Sequence, residues 1–66
     1  MTNIHLAKLV AKEIEYAKEA DKLHLHRDYE GYRQALDKCE TARELAEVLG
    51  FTRREFYKER FNQRRA

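Results

Sequence analysis

Cations and aromatic side chains alternate near the end of the chain, and together they could contact a nucleic acid. They are Arg53, Arg54, Tyr57, Lys58, Phe61, Arg64 and Arg65. Cationic groups neutralise phosphates, and guanidinium groups and aromatic rings contact bases. Residues 53–66 hold six Lys or Arg against two Glu, a net charge of +4, whereas residues 1–52 hold eight bases and ten acids. A basic end on a slightly acidic body predicts a polyanionic partner, either phosphate or an acidic protein surface.

A second group of residues has the chemistry, but not the spacing, of a metal site. His24, His26 and Asp28 lie close together in sequence, and His5 and Cys39 would have to complete a four-ligand zinc site from elsewhere. Residues i and i+2 of a helix point apart, so we expect no metal and no cofactor. Cys39 is the only cysteine, which excludes an internal disulfide. It stands on an apolar stripe without a neighbouring base, which predicts a small buried hydrophobic residue and not a nucleophile.

The sequence does not predict an enzyme or a membrane protein. It contains no nucleophile–base pair, no paired carboxylates in an apolar setting and no glycine-rich phosphate loop. We therefore expect no catalytic site and no small-molecule substrate. No apolar run approaches the length of a membrane span, and acids interrupt the apolar stripe of the first residues, unlike in a secretory signal. These features predict a cytoplasmic protein.

Composition and hydrophobic spacing predict one all-α domain over residues 1–66. The chain has no Pro and two Gly, and it is rich in helix-forming residues. Asn3 can cap a first helix that runs to about residue 24, and Asp28 can cap the next helix. The central stripe of the first helix is predicted at Ile4, Ala7, Ala11 and Ile14, broadened by Leu6, Val10, Ala17 and Ala20. Because a chain of this size has a marginal core, we expect a homodimer through this broad alanine-lined face.

Residues 28–49 allow two interpretations. Thr41 followed by Glu44 fits a capping box, which would start a new helix at Thr41. Apolar residues nevertheless continue at steps of three and four past Thr41, and a break would rotate them to another face. We therefore predict one long helix, antiparallel to the first. Its apolar positions are Tyr29, Tyr32, Ala35, Leu36, Cys39, Ala42, Leu45, Ala46 and Leu49.

A turn and a third helix are predicted after this long helix. Gly50 occupies the position where a helix ends in the left-handed region, which a glycine adopts at little cost. Thr52 followed by Glu55 again fits a capping box. Phe51 and Phe56 can fill the angle between the two helices. The predicted fold is a long antiparallel helical hairpin with a third, C-terminal helix across its end.

The segment LAEVLGFTRREF resembles the helix-turn-helix of bacterial and phage regulators, especially that of the DNA-binding part of sigma factors. The matched positions, within residues 41–61, are Leu45, Ala46, Leu49, Gly50, Phe51, Thr52 and Phe56. The resemblance implies that Ala46 packs, Thr52 opens a recognition helix and Phe56 anchors that helix. One position departs from the pattern, because Glu59 stands where the family usually has an apolar residue. The resemblance implies a small DNA-binding transcriptional regulator. Together with the basic, aromatic end of the chain it predicts DNA contacts from Thr52, Arg53, Arg54, Tyr57, Lys58, Phe61, Arg64 and Arg65, with Arg64 and Arg65 on phosphates.

Two orientations of the last helix remain open. If Phe56 alone is its anchor, the exposed face carries Arg54, Tyr57, Lys58, Phe61 and Arg65, which suits DNA. If all three aromatic residues are core, the exposed face carries Glu55, Lys58, Glu59 and Asn62, which would repel DNA. The helix would then be a packing or partner-binding element. The alternative function is a protein-binding module, an adaptor or inhibitor that binds an acidic partner surface, or dimerises, through Tyr57 and Phe61.

Overall fold

The computed structural model describes residues 3–65, and within this range it confirms the predicted all-α fold. Helix α1 comprises Ile4–Leu25, α2 comprises Tyr29–Val48, and α3 comprises Arg53–Arg65. The first two helices form a long hairpin, and α3 packs on this pair, mainly against α1.

Side-chain caps begin the first two helices where the sequence predicts them. The Asn3 carboxamide oxygen accepts a hydrogen bond from the His5 backbone N–H at 2.8 Å. The Asp28 carboxylate likewise accepts one from the Gly31 N–H at 3.1 Å. Between the helices, Arg27 adopts a left-handed backbone conformation, with φ of 61°. This conformation lets the Asp28 N–H return to the Leu23 carbonyl at 2.9 Å and reverse the chain.

Helix α2 is continuous through Thr41, which confirms the long-helix interpretation. The Thr41 hydroxyl donates to the Asp37 carbonyl one turn earlier, at 2.9 Å, and does not cap a new helix. The apparent capping box at Thr41 and Glu44 is therefore accidental.

The turn after α2 also has the predicted geometry. Gly50 adopts a φ of 95°. Its N–H donates to the Glu47 carbonyl, and the Phe51 N–H donates to the Ala46 carbonyl, both at 3.0 Å. These two bonds form a Schellman motif, which satisfies the last carbonyls of α2 and directs the chain toward α3.

All three helices meet in one small hydrophobic cluster. Leu6 and Val10 of α1, Ala46 of α2 and Phe56 of α3 are buried in it. The half-buried residues packed against this cluster are Leu9, Ile14 and Phe51. Further along the hairpin, the seam between α1 and α2 is made of small buried residues, Ala20, Ala35, Cys39 and Ala42. Small side chains let the two helices approach closely.

The predicted central stripe of α1 is wrong in part. Ile4 is 64% exposed, and Ala11 is also exposed. The buried line instead runs through Leu6, Val10, Glu13 and Ala20. At about 100° per residue, Ile4 and Ala11 lie more than about 130° around the helix from Leu6. The alanine-lined face of α1, which was predicted to drive dimerisation, is largely covered within the monomer. Ala20 is buried, and Ala7 and Ala17 are half-buried.

Several large residues predicted on the apolar side of α2 lie at its margin. Leu45 is 46% exposed, Leu49 56% and Tyr29 62%, and Leu36 is exposed as well. The line of α2 that faces α1 consists of Ala35, Cys39, Ala42 and Ala46. Because these side chains are short, α1 covers only this narrow line, and the larger residues beside it remain in contact with solvent.

Candidate nucleic-acid interface

A capping box fixes the start of α3, as predicted for Thr52 and Glu55. The Thr52 hydroxyl accepts from the Glu55 N–H at 3.1 Å. The Glu55 carboxylate accepts from both the N–H and the hydroxyl of Thr52, each at 3.0 Å. These hydrogen bonds hold the pKa of Glu55 below its ordinary value. Thr52 therefore lies at the edge of the candidate interface with its side chain already hydrogen-bonded inside the cap.

The outward face of α3 combines cations with aromatic rings. Phe56 is 3% exposed, whereas Tyr57 and Phe61 are 43% and 61% exposed. Phe56 is therefore the single aromatic anchor, and the interpretation in which all three rings are core is wrong. The other predicted contact residues are all exposed, namely Arg53, Arg54, Lys58, Arg64 and Arg65.

Two of these exposed side chains form a preassembled pair. The Arg65 guanidinium carbon lies 5.6 Å from the centroid of the Phe61 ring, a cation–π distance. At the base of the helix, the Phe56 and Tyr57 rings meet edge to face, with centroids 5.9 Å apart. The buried anchor thus directly orients the first exposed ring.

The inner face of α3 is more polar than the sequence suggests. Glu59 is 9% exposed, so the alternative in which it points outward is wrong. It occupies the inward position where the helix-turn-helix pattern usually has an apolar residue. The Gln63 side-chain amide donates to the Glu59 carboxylate at 2.7 Å and to the Ala7 carbonyl of α1 at 2.9 Å. Polar contacts therefore hold the part of α3 that an apolar residue would otherwise anchor.

A largely buried ion pair joins α3 to α1. The Arg60 Nε–H donates to the Glu13 carboxylate at 2.5 Å, and the two side chains are 25% and 6% exposed. The Cys39 thiol of α2 donates to the Glu13 backbone carbonyl, with Sγ 3.6 Å from the oxygen. Burial, then the nearby Glu13 carboxylate, raises the pKa of the Cys39 thiol. The prediction that Cys39 is buried is confirmed.

This ion pair was absent from the sequence-based prediction. Glu13 does stand at helical spacing from Val10 and Ala20, and a lone acid on a buried line is a signal for a buried partner. The sequence does not show which of the six C-terminal cations supplies it. The structure assigns Arg60 to the interior, which leaves five exposed cations on α3.

Tyr57 lies between two surface depressions of opposite charge. The first, of about 220 Å³, lies between α2 and α3 and is lined by Glu40, Arg43, Glu44, Glu47, Arg53, Phe56 and Tyr57. The second, of about 500 Å³, follows α3 and is lined by Tyr57, Arg60, Phe61, Arg64 and Arg65. We name these the acidic and the basic depression. Their proximity was not predicted, because it depends on how α3 crosses α2.

The residues considered for a metal site have other surroundings. The His24 ring packs against the rings of Tyr29 and Tyr32, with centroids 6.1 and 5.1 Å away. Within residues 3–65, no three side chains of His, Cys, Asp or Glu are grouped so as to hold a metal ion. Over the same range, no helix has the length and apolar character to cross a membrane.

Comparisons with protein-family models, with curated proteins and with solved structures find no match.

Proposed function

We propose that this protein is a small DNA-binding transcriptional regulator that contacts duplex DNA through α3. The observation that carries the proposal is the composition of the outward face of this helix. Arg54, Lys58 and Arg65 are exposed there beside Tyr57 and Phe61. The exposed acid that borders Lys58 is Glu55, and its carboxylate is hydrogen-bonded within the Thr52 cap. Cations that bind phosphates, next to side chains that contact bases, are the combination that DNA recognition requires.

The way in which α3 is held also supports this role. Its start is fixed by the Thr52–Glu55 box, its middle by Phe56, and its second half by the Arg60–Glu13 ion pair. A helix of 13 residues is about 20 Å long, and the major groove of about 12 Å width admits one helix. A rigid element presents contact residues with less loss of conformational entropy than a loop does.

The charge distribution favours one direction of approach. Glu40, Glu44 and Glu47 flank Tyr57 on the α2 side and would repel phosphates there. Arg64 and Arg65 lie about two turns further along α3, beside Phe61. We therefore propose that Arg54, Tyr57, Lys58 and Phe61 enter or border the groove, and that Arg64 and Arg65 neutralise backbone phosphates.

Fluorescence anisotropy with a mixed-sequence duplex at several salt concentrations tests this proposal. If four or five exposed cations meet phosphates, log K should fall against log salt with a slope of roughly −3.6 to −4.5. Lys58→Glu should weaken binding, whereas Lys18→Glu should not, because exposed Lys18 lies on α1. Absence of binding at low salt and micromolar protein would overturn the proposal.

Exposure of Phe61 also favours a second candidate function. A ring that is 61% exposed beside Arg65 suits a protein interface as well as a base, because Phe and Arg are enriched in interface cores. The protein would then be a small adaptor or inhibitor that binds an acidic partner surface. Under this alternative, Phe61→Ala would abolish partner binding while duplex DNA would not bind at any salt concentration.

A further inference from the structure

We propose that two copies of this chain associate face to face about Tyr57, with the acidic depression of each copy against the basic depression of the other. Tyr57 is the residue that lines both depressions. A two-fold axis through this point would place each charged side against the opposite charge of its partner. The surface is thus self-complementary, as a symmetric dimer requires.

The charges on the two sides differ in sign and are free to face a partner. On the α2 side, Glu40, Glu44 and Glu47 are exposed, and they outnumber the two cations in that depression, Arg43 and Arg53. The Nε atom of Arg43 is buried there without a hydrogen-bond partner. On the α3 side, Arg64 and Arg65 are exposed, and Arg60 is directed to Glu13. No carboxylate lines the basic depression.

The centre of the proposed contact is aromatic. Tyr57 is 43% exposed and Phe61 is 61% exposed, and both line the basic depression. Association about Tyr57 would bury these rings in the middle and leave the charged groups around them. Aromatic centres surrounded by polar rims are the usual anatomy of a specific interface. The rings supply the apolar area, and the charges fix the register.

A regulatory consequence rests on the proposed DNA-binding function. The paired arrangement covers Phe61, Arg64 and Arg65, which are the same groups that would bind DNA. Duplex DNA and the second copy should therefore compete for one face, and DNA should shift the population toward monomers. At high concentration the protein would then mask its own binding face.

Sedimentation equilibrium without DNA tests the association. We expect a monomer–dimer equilibrium between about 10 and 500 μM that weakens as salt rises, because exposed charge pairs are screened. Glu44→Arg and Arg64→Glu should each weaken dimerisation by about tenfold or more, since each places like charges opposite one another. The double variant Glu44→Arg/Arg64→Glu exchanges the two signs and should recover dimerisation to within about threefold of the wild type.

The matched control is Glu19→Arg, the same change at an exposed position on α1, which should leave the equilibrium unchanged. Circular dichroism of each variant checks that the helices remain folded. A wild-type chain that is monomeric at 500 μM, or a folded double variant that dimerises no better than either single variant, would overturn the proposal.

Anisotropy with labelled duplex separates this proposal from the proposed function. The double variant should dimerise yet bind duplex more weakly than the wild type, because Arg64→Glu removes a phosphate contact. As the concentration of wild-type protein rises, the protein bound to duplex should remain monomeric. Sedimentation of labelled DNA measures the mass of the complex. Dimerisation without any DNA binding would refute the proposed function and support the association. Duplex bound by an intact dimer would overturn the competition.

Discussion

The Arg60 guanidinium lies 2.5 Å from the Glu13 carboxylate, across 47 residues of sequence, and joins the outermost helix to the interior of the hairpin. Only 6% of the Glu13 side chain is exposed, so its charge depends on Arg60 for a partner. The same residue accepts the Cys39 thiol through its backbone carbonyl. This point therefore connects all three helices, and the ion pair is one of the contacts that hold α3 against the hairpin.

Removing one member of this pair should destabilise the fold. Arg60→Ala leaves the Glu13 carboxylate buried without its cation, and we expect a loss of about 1–3 kcal/mol, below the full cost of a buried pair because Arg60 is partly exposed. Urea denaturation at neutral pH measures this loss. Arg64→Ala is the matched control and should change stability by less than about 0.5 kcal/mol, because Arg64 is exposed.

The double variant Glu13→Leu/Arg60→Leu completes the test. Replacing both charges with apolar groups removes the unpaired charge, so it should cost less than the sum of the two single changes. If Arg60→Ala proves as mild as Arg64→Ala, the pair contributes nothing to the position of α3.

The two left-handed residues should respond in opposite ways to substitution. Gly50 has a φ of 95°, and an added Cβ would meet no atom within 4 Å, so the cost of Gly50→Ala is conformational. We expect it to destabilise by about 1 kcal/mol. Arg27 holds a φ of 61° with a side chain present, so Arg27→Gly should stabilise by about 0.5–1 kcal/mol. Thermal unfolding followed by circular dichroism measures both changes, and stabilisation by Gly50→Ala would contradict the assigned turn.

The helix caps and one of the two turns could be predicted from the sequence. The caps at Asn3, Asp28 and Thr52 and the turn at Gly50 are decided within four residues of chain, and local side-chain chemistry was sufficient to identify them. At Arg27 the sequence predicts only that a first helix has ended near residue 24 and that Asp28 caps the next one. No glycine marks the left-handed position of this turn. An arginine adopts that conformation there because the Schellman hydrogen bonds to the end of α1 impose it.

Features that depend on the crossing of helices were not predictable in the same way. Glu59 was expected either to depart from the motif or to face solvent, and its inward position depends on Gln63 and on how α3 crosses α1. The exposure of Leu45 and Leu49 follows from the short side chains that set the spacing between α1 and α2. For the candidate interface, periodicity identified the exposed face of α3 once Phe56 was taken as the only anchor. The acidic depression beside Tyr57 required the tertiary structure.

The capping box should make stability depend on pH in the acid range. Hydrogen bonds from Thr52 hold the pKa of Glu55 below its ordinary value of 4.5, so the unfolded chain binds this proton more readily than the folded chain does. The contribution of Glu55 is therefore complete above about pH 5 and is lost as the pH falls below 4.5 and through the folded-state pKa. Glu55→Gln should reduce the free energy of unfolding at pH 7 and have a smaller effect at pH 3.

Urea denaturation of the wild type and of Glu55→Gln at both pH values measures this difference. The contributions of other titrating groups to the free energy of unfolding are the same in both chains and cancel. Glu44→Gln is the matched control, because the Thr41 hydroxyl donates to Asp37 and not to Glu44. Equal effects of Glu55→Gln at pH 3 and pH 7 would show that the carboxylate charge does not contribute to the cap.

Two phenylalanines on the same helix should separate the structural role of α3 from its proposed binding role. Phe56 is 3% exposed in the core cluster, and Phe56→Ala should cost about 3–5 kcal/mol of stability. Phe61 is 61% exposed, and Phe61→Ala should change stability by no more than roughly 0.5 kcal/mol. We expect Phe61→Ala instead to weaken duplex binding, because it removes the ring that packs against Arg65 on the outward face. Chemical denaturation and DNA titration of both variants measure the two quantities.

Lys58→Glu supplies the comparison for the same face. It should spare stability, since Lys58 is exposed, and it should reverse a charge directed at phosphate. If Phe61→Ala and Lys58→Glu both remain folded and bind duplex as tightly as the wild type, α3 does not contact DNA. The exposed Phe61 ring would then be assigned to a protein partner, and the same two variants would be titrated against that partner. A large loss of stability in Phe61→Ala would instead mean that the ring is buried in solution, which would contradict its position on the outward face.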